Sequence, residues 1–145
     1  FLNLEKTLKC GKNIISEYDK KISSNLTVEQ ILIRSGNIGS VRIGQKLEIN
    51  KLKLFLEKIG ILNKIDFDIE EVGEPIPFKW GKCKLATVSF GHGITTTPLQ
   101  LAKGYAIIAN GGYEIKPSLI KRNLKENNKQ KRIIKEGVSE QINEI

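Results

Sequence analysis

The fold is decided by residues 26–39, which read LTVEQILIRSGNIG. Thr27, followed three residues later by Gln30, forms a capping box, in which each side chain binds the backbone N–H of the other residue at a helix start. Leu26 and Ile31 flank this cap as a hydrophobic staple. The predicted helix runs to about Arg34 or Ser35, and its apolar face consists of Val28, Ile31 and Leu32.

The triplet Ser35-Gly36-Asn37 separates this helix from a second one. A new apolar periodicity begins at Ile38 and continues through Val41 and Leu47, which predicts a helix on the far side of the triplet. Glycine permits a tight connection between the two helices, since it has no Cβ to collide with neighbouring backbone.

A third helix is predicted over residues 51–59, because Asn50 can cap its start and Gly60 can end it. Residues 61–77 hold several acidic residues and two prolines, and we interpret them as a long surface connection. A short helix is predicted over residues 82–88.

The second informative stretch is residues 90–102, FGHGITTTPLQLA. A glycine-flanked turn is followed by another capping box, made of Thr97 and Gln100, with Pro98 at the first helical position. The helix that follows should end at residues 110–112, Asn-Gly-Gly. Its many apolar and small residues predict packing on several sides.

The two ends of the chain give weaker signals. Residues 1–25 read as loop and short strand. Residues 113–121 alternate weakly and suit a strand that Pro117 keeps near an edge. Residues 131–135 are its predicted hairpin partner, and Ser139 is the predicted cap of a helix that the C-terminus interrupts.

The net charge of +8 is spread over 145 residues. Only residues 121–135 are locally dense in lysine and arginine, and they also contain asparagine and glutamate, so a solvated face explains them. With no aromatic platform and no recognition motif, nucleic acid is not a predicted partner.

Cysteine and histidine are too few and too scattered to predict a metal site. Cys10 and Cys83 form no CxxC pattern, and His92 is the only histidine. The sequence leaves open whether the two cysteines are free thiols or form a disulfide. Neither a metal nor a cofactor is predicted.

No stretch reaches the roughly 18–20 apolar residues of a membrane span, and no signal peptide is visible. The chain begins with Phe1 rather than methionine. We expect it to be a fragment or a processed product, with any membrane anchor outside these residues.

Residues 26–39, 90–102 and 109–112, with Pro117, resemble in order and spacing the transpeptidase domain of class B penicillin-binding proteins. The resemblance covers roughly Leu26 to Arg122 and is strongest to the cell-division type. It implies an α/β (α+β) serine transpeptidase fold, like that of β-lactamases. These residues should be mainly α-helical, with the start of an antiparallel sheet.

The family has three motifs, of which Ser35-Gly36-Asn37 matches the middle one, S-x-N. The resemblance therefore implies that residues 1–145 are a partial transpeptidase domain without the S-x-x-K and K-T-G segments. The nucleophilic serine and the base lysine should lie upstream of Phe1, and K-T-G should follow Ile145. Gly36 departs from the family, which often has serine or aspartate there.

The resemblance implies catalytic and substrate-binding roles for Ser35 and Asn37. Ser35 would relay a proton to the leaving amine, and Asn37 would orient the substrate amide and help hold the lysine. The expected function of the parent protein is peptidoglycan D,D-transpeptidation through an acyl-serine intermediate. This chain alone is expected to be inactive.

Expected partners are peptidoglycan stem peptides ending in D-Ala-D-Ala, β-lactams, and other division or elongation proteins. The expected location is the bacterial inner membrane, with the catalytic domain in the periplasm. The alternative is a non-catalytic helical interaction module of the cell-wall machinery.

Several other residues have structural interpretations. His92 is expected to serve the glycine turn rather than act as a base. Thr95, Thr96 and Thr97 are expected to be turn and capping residues, and Phe78 and Trp80 to pack a loop. Ser118 to Lys121 fits the letters of S-x-x-K, but it lies in a strand-like stretch on the wrong side of Ser35, so we interpret it as coincidence.

Overall fold

The structure is a computed structural model that describes residues 2–69, 73–121 and 131–145. It divides into two compact units. The first contains the described residues up to Lys53 together with Phe78–Ile94, and the second contains Leu54–Pro77 and Thr95–Ile145. Parts of the predicted connection (70–72) and of the lysine-rich stretch (122–130) lie outside the described residues.

The first unit begins with two small antiparallel strand pairs. Strand β1 (Leu2–Asn3) pairs with β4 (Asn25–Leu26), and β2 (Thr7–Cys10) pairs with β3 (Asn13–Ser16). The turn between β2 and β3 contains Gly11 with φ of +62°, a conformation that glycine adopts without steric cost. The predicted mixture of loop and short strand is confirmed.

The helix predicted from the first capping box is present as α1 (Val28–Ile33). The backbone N–H of Thr27 donates to Oε1 of Gln30 at 2.9 Å, and the N–H of Gln30 donates to Oγ1 of Thr27 at 3.1 Å. The short range of these contacts explains why the sequence predicts this helix start.

The next helix, α2 (Asn37–Lys58), contains a break at Glu48, where φ is +66° and ψ is 165°. The predicted second and third helices are therefore present, and they meet at Glu48 rather than at a cap on Asn50. Gly60, with φ of +85°, follows the end of α2 as predicted.

The core of the first unit lies between its strands and helices. Its buried members are Leu4, Cys10, Ile15, Leu26, Ile31, Ile38, Val41 and Ala86. Ile31 is 2% exposed, and a Cβ on Gly39 would lie 2.5 Å from its Cγ1, so only glycine allows this close approach of α2 to α1. The predicted apolar face of α1 is wrong in part, because Val28 and Leu32 point away from this core and are exposed.

Helix α3 (Lys82–Val88) has the predicted bounds and packs against β2. A disulfide joins Cys10 of β2 to Cys83 of α3, with a Cα–Cα distance of 5.2 Å. That distance lies within the usual range for disulfides. The structure thus decides between the two alternatives that the sequence left open.

The second unit is built around α4 (Pro98–Ala109), which packs against α5 (Glu136–Asn143). The second capping box is confirmed, with Pro98 in the first turn. The prediction for Ser139 is wrong, since Lys135 is the N-cap of α5 and Ser139 lies inside the helix. Its buried hydroxyl donates to the carbonyl oxygen of Ile108, so Ser139 ties α5 to α4.

Helix α4 buries one face, formed by Gln100, Gly104 and Ile107. Leu101 and Tyr105 are 45% and 72% exposed. We expected α4 to be packed on several sides, but among the described residues it is packed on one face only.

The strand predicted over residues 113–121 is wrong in extent. Among the described residues, an antiparallel bridge joins Tyr113 to Arg132, and the N–H of Glu114 donates to the carbonyl of Lys131 at 2.9 Å. The predicted pairing partner is therefore right, and the residues opposite 115–121 lie outside the described part of the chain.

Among the described residues, no helix combines the length and the apolar character that a membrane crossing requires.

Candidate functional site

The triplet predicted as a catalytic motif forms the turn between α1 and α2. The N–H of Gly36 donates to the carbonyl of Ile31 at 2.9 Å, and the N–H of Ser35 donates to the carbonyl of Leu32 at 3.1 Å. These two bonds define a Schellman motif, which ends a helix with one residue in the left-handed conformation. Here that residue is Ser35.

Ser35 has φ of +50°, although glycine is the usual residue at this position of the motif. For a residue with a Cβ, the left-handed conformation costs on the order of 1–2 kcal/mol. The Ser35 side chain is exposed, and within the described residues its hydroxyl forms no hydrogen bond. Ser35 is thus a strained residue whose hydroxyl is not engaged within the described residues. Backbone strain of this kind is concentrated at functional sites.

Asn37, the first residue of α2, is half-buried, and a hydrogen bond fixes its side chain. Its Nδ2 donates to the carbonyl oxygen of Ser16, at the end of β3, at 2.9 Å. Because that carbonyl can only accept, the amide nitrogen faces Ser16. The Oδ1 atom and the second N–H of Asn37 have no hydrogen-bond partner in the described part of the chain.

Glu17 is a residue of this region that the sequence did not reveal. It is only 9% exposed. Its Oε2 accepts the N–H of Asn37 at 2.6 Å, and its Oε1 accepts the N–H of Ile38 at 2.9 Å. A weak signal existed, because Gly36 precedes α2 and has no side chain that could cap the helix. The sequence could not show which distant residue supplies the missing acceptor.

An ion pair flanks the turn on its α1 side, between the guanidinium of Arg34 and the carboxylate of Asp19. A hydrogen bond from the backbone N–H of Lys21, together with that from Arg34, lowers the pKa of Asp19. Asp19 therefore stays ionised at neutral pH. Both partners are substantially exposed, so the pair orients Arg34 more than it stabilises the fold.

Two clefts of the first unit lie near this turn. One, of about 310 Å³, is lined by residues that include Glu17, Asp19 and Lys20. The other, of about 260 Å³, is lined by residues that include Gln30 and Arg34. Ser35 and Asn37 line neither of them.

The other residues that were considered for a functional role, His92, Phe78, Trp80 and Ser118, each contact another side chain. The His92 ring is exposed and stacks on Phe90, with 6.0 Å between ring centroids. Phe78 and Trp80 pack against each other at 5.1 Å, as predicted. The hydroxyl of Ser118 donates to Oδ2 of Asp68 at 2.7 Å.

Residues 118–121 form no helix, so Lys121 does not stand one helical turn after Ser118. The S-x-x-K chemistry requires that arrangement, because the lysine must reach the serine hydroxyl. The interpretation of these letters as a coincidence agrees with the structure.

The second unit contains a buried polar centre, Gln100, which is 0% exposed. Its Oε1 accepts the N–H of Thr97 at 2.7 Å and the hydroxyl of Thr96 at 3.2 Å. Its Nε2 lies within hydrogen-bond distance of the carbonyls of Gly60 (3.3 Å), Ile61 (3.4 Å) and Asn63 (2.7 Å).

The threonines before α4 are turn and capping residues, as predicted. Thr97 caps α4, and Oγ1 of Thr95 accepts the N–H of Ile76 at 2.7 Å. In the described ranges, no three histidine, cysteine or acidic residues are grouped so that they could hold a metal ion.

A family model described as the penicillin binding protein transpeptidase domain matches residues 2–145. The probable peptidoglycan D,D-transpeptidase FtsI of Caulobacter vibrioides is 28% identical over 115 residues, which is 79% of this chain and 19% of that protein. The peptidoglycan D,D-transpeptidase FtsI of Escherichia coli K12 is 32% identical over 94 residues, 61% of this chain and 16% of that protein. The chain thus spans less than a fifth of the length of these relatives.

Among solved structures, the TP domain of Burkholderia pseudomallei penicillin-binding protein 3 matches with a TM-score of 0.86 and 19% identity. The match covers 97% of this chain and 43% of that one. This likeness confirms the expected fold, mostly helical here with small antiparallel sheets.

Proposed function

Because the chain belongs to the family of penicillin-binding protein transpeptidase domains, we propose that it is part of a peptidoglycan D,D-transpeptidase, with Ser35 and Asn37 in its active site. The observation that carries the proposal is the left-handed conformation of Ser35. A turn with a purely structural role gains nothing from serine at this position, where glycine fits without strain.

The proposed reaction is acyl transfer from a stem peptide ending in D-Ala-D-Ala. A serine hydroxyl attacks the carbonyl of the scissile D-Ala-D-Ala bond while a lysine one helical turn away takes its proton. The resulting acyl-serine then reacts with an amine of a second stem peptide, which forms the cross-link and releases the serine. In this proposal the serine and the lysine belong to an S-x-x-K helix outside the sequence described here.

Ser35 is proposed to pass the proton from that lysine to the departing amine of D-alanine. A hydroxyl suits the role, since it accepts from the lysine and donates to the amine in the same arrangement. The exposure of Ser35 and its lack of a hydrogen-bond partner within the described residues support this role, because a committed hydroxyl could not serve as a relay.

Asn37 is proposed to orient the substrate amide and the lysine. Its Nδ2 is held by the carbonyl of Ser16 at 2.9 Å. The Oδ1 atom is then left to accept an N–H from the substrate or from the lysine ammonium group. An amide performs this role at any pH, because it does not titrate.

Residues 1–145 are accordingly proposed to be part of one transpeptidase domain, with the K-T-G segment also outside the sequence. The proposed ligands are D-Ala-D-Ala stem peptides and the β-lactams that mimic them. The proposed location is the periplasmic face of the bacterial inner membrane, where peptidoglycan is assembled and where the Cys10–Cys83 disulfide would persist.

The test is labelling with a fluorescent penicillin followed by denaturing electrophoresis. The longer protein should form a covalent adduct, and Ser35→Ala should slow its formation by about a hundredfold, in the range of general acid–base catalysis. Ser118→Ala is the matched control and should label at the wild-type rate.

Residues 1–145 alone should form no adduct. A stable adduct on this fragment would contradict the assignment of the nucleophile to another segment. No adduct on the longer protein would favour the non-catalytic interaction module.

A further inference from the structure

Glu17 is unusual among the acidic residues of the first unit, because it is buried and its contacts are with backbone. Its two carboxyl oxygens accept the N–H groups of Asn37 at 2.6 Å and Ile38 at 2.9 Å. By contrast, Glu5 and Asp19 are paired with arginines at the surface. A buried carboxyl that binds two consecutive N–H groups fixes the position of the backbone that carries them.

The start of α2 needs such an external acceptor. The first N–H groups of a helix have no partner within the helix, and a cap normally supplies one from the residue just before it. That residue is Gly36, which has no side chain. The carboxyl of Glu17 acts in place of a capping side chain. The negative charge of this carboxyl is favourable at the positive end of the helix dipole.

The segment that carries Glu17 is itself fixed in the core. Ile15, in β3, is buried in the same cluster as Ile31 and Ile38. Between Ile15 and Glu17, the carbonyl of Ser16 accepts the side-chain N–H of Asn37 at 2.9 Å. Two consecutive residues of this segment therefore hold both the backbone and the side chain of Asn37.

We propose that Glu17 is a positioning residue of the transpeptidase site, which sets the place of the Asn37 side chain. The inference rests on the proposed function. Glu17 does not touch the substrate in this scheme, and it acts only through the start of α2. A displacement of about 1 Å at a catalytic group can cost about a hundredfold in rate, so the loss of this clamp should be visible in acylation.

The experiment is a double-mutant cycle on the longer protein, with the second-order rate of acylation by a fluorescent penicillin as the readout. Glu17→Gln keeps the size of the side chain but faces one of the two N–H groups with its own NH₂ donor. Alone, it should slow acylation about tenfold or more. In the Asn37→Ala background it should slow acylation less than about threefold, because the group that it positions is gone.

Glu5→Gln is the matched control, since it removes a carboxylate from the same unit without touching the turn. It should acylate at the wild-type rate. Each variant is also melted thermally. If Glu17→Gln does not fold, Glu17→Asp replaces it in the same cycle, because aspartate keeps the carboxyl and only shortens its reach.

Equal slowing by the Glu17 variant in both backgrounds would overturn the inference, since it would indicate a general loss of folded protein. A wild-type rate for the variant would overturn it as well. Either result leaves the proposed function intact, which fails only if the wild-type protein forms no adduct.

Discussion

Replacement of Ser35 by glycine should make the protein more stable and less active at the same time. Ser35 occupies the left-handed position of the Schellman motif with φ of +50°. Glycine adopts that conformation without the clash between Cβ and the following carbonyl. The same replacement removes the hydroxyl that is proposed to relay the proton.

The magnitude follows from two opposing effects. Relief of the left-handed strain contributes roughly 1–2 kcal/mol in favour of glycine. The larger conformational freedom of glycine in the unfolded chain costs about 0.5–1 kcal/mol. Ser35 is exposed and its hydroxyl has no hydrogen-bond partner among the described residues, so no other loss is expected. The net gain in the free energy of unfolding should be about 0.5–1 kcal/mol.

The assay compares the wild-type longer protein with Ser35→Gly and Ser35→Ala. Urea unfolding measures stability, and fluorescent-penicillin labelling measures acylation. Ser35→Ala is the matched control, because it removes the hydroxyl and keeps the strained Cβ. Both variants should be acylated slowly, and only Ser35→Gly should unfold at a higher urea concentration.

Two results would refute this reasoning separately. A lower unfolding midpoint for Ser35→Gly than for Ser35→Ala would show that the left-handed conformation is not a source of strain. Acylation of both variants at the wild-type rate would show that the hydroxyl is not used, and the turn would then be structural only.

Two further predictions concern stability. Gln100→Ala should lower the free energy of unfolding by about 2–4 kcal/mol, because it leaves several buried polar groups without a hydrogen-bond partner. Gln30→Ala, in the exposed capping box of α1, should lower it by about 1 kcal/mol or less. Equal urea midpoints for the two variants would contradict the role of the buried network. Cys10 and Cys83 are 73 residues apart in sequence, so replacing both by serine should cost about 4 kcal/mol in the chain-entropy account. Mass spectrometry of the unreduced protein should find the two tryptic peptides joined, and finding only separate peptides would exclude the bond.

The sequence predicted best the features that depend on neighbouring residues. Both capping boxes, the bounds of α3 and the glycine after α2 follow from contacts within about four residues, and each is present in the structure. Interactions between residues this close in sequence can be predicted from the residue types and their spacing alone.

Three features that the sequence missed depend on distant partners. Glu17 contacts Asn37 across 20 residues, and Gln100 reaches Gly60 across 40. Ser139 is suited to a helix cap by its type, yet its hydroxyl binds Ile108 across 31 residues instead. Tertiary contacts thus decided between two roles that the residue type allows equally.

The role of Ser35 and Asn37 was inferred from resemblance and not from local pattern, since the same three letters often form an ordinary turn. What the structure adds is the strained φ of Ser35 and the clamp on Asn37. Neither can be read from residue order, because φ depends on the completed helix end and the clamp depends on β3.

The close contact between Ile31 and Gly39 brackets the turn of residues 35–37, with Ile31 four residues before Ser35 and Gly39 two residues after Asn37. With both flanks interlocked, residues 35–37 lose most of their conformational entropy when the domain folds, before any peptide arrives. If this turn binds the stem peptide as proposed, it is preorganised, and binding energy need not be spent on ordering it. A methyl group at position 39 would force the two helices apart and loosen that turn even where the domain still folds.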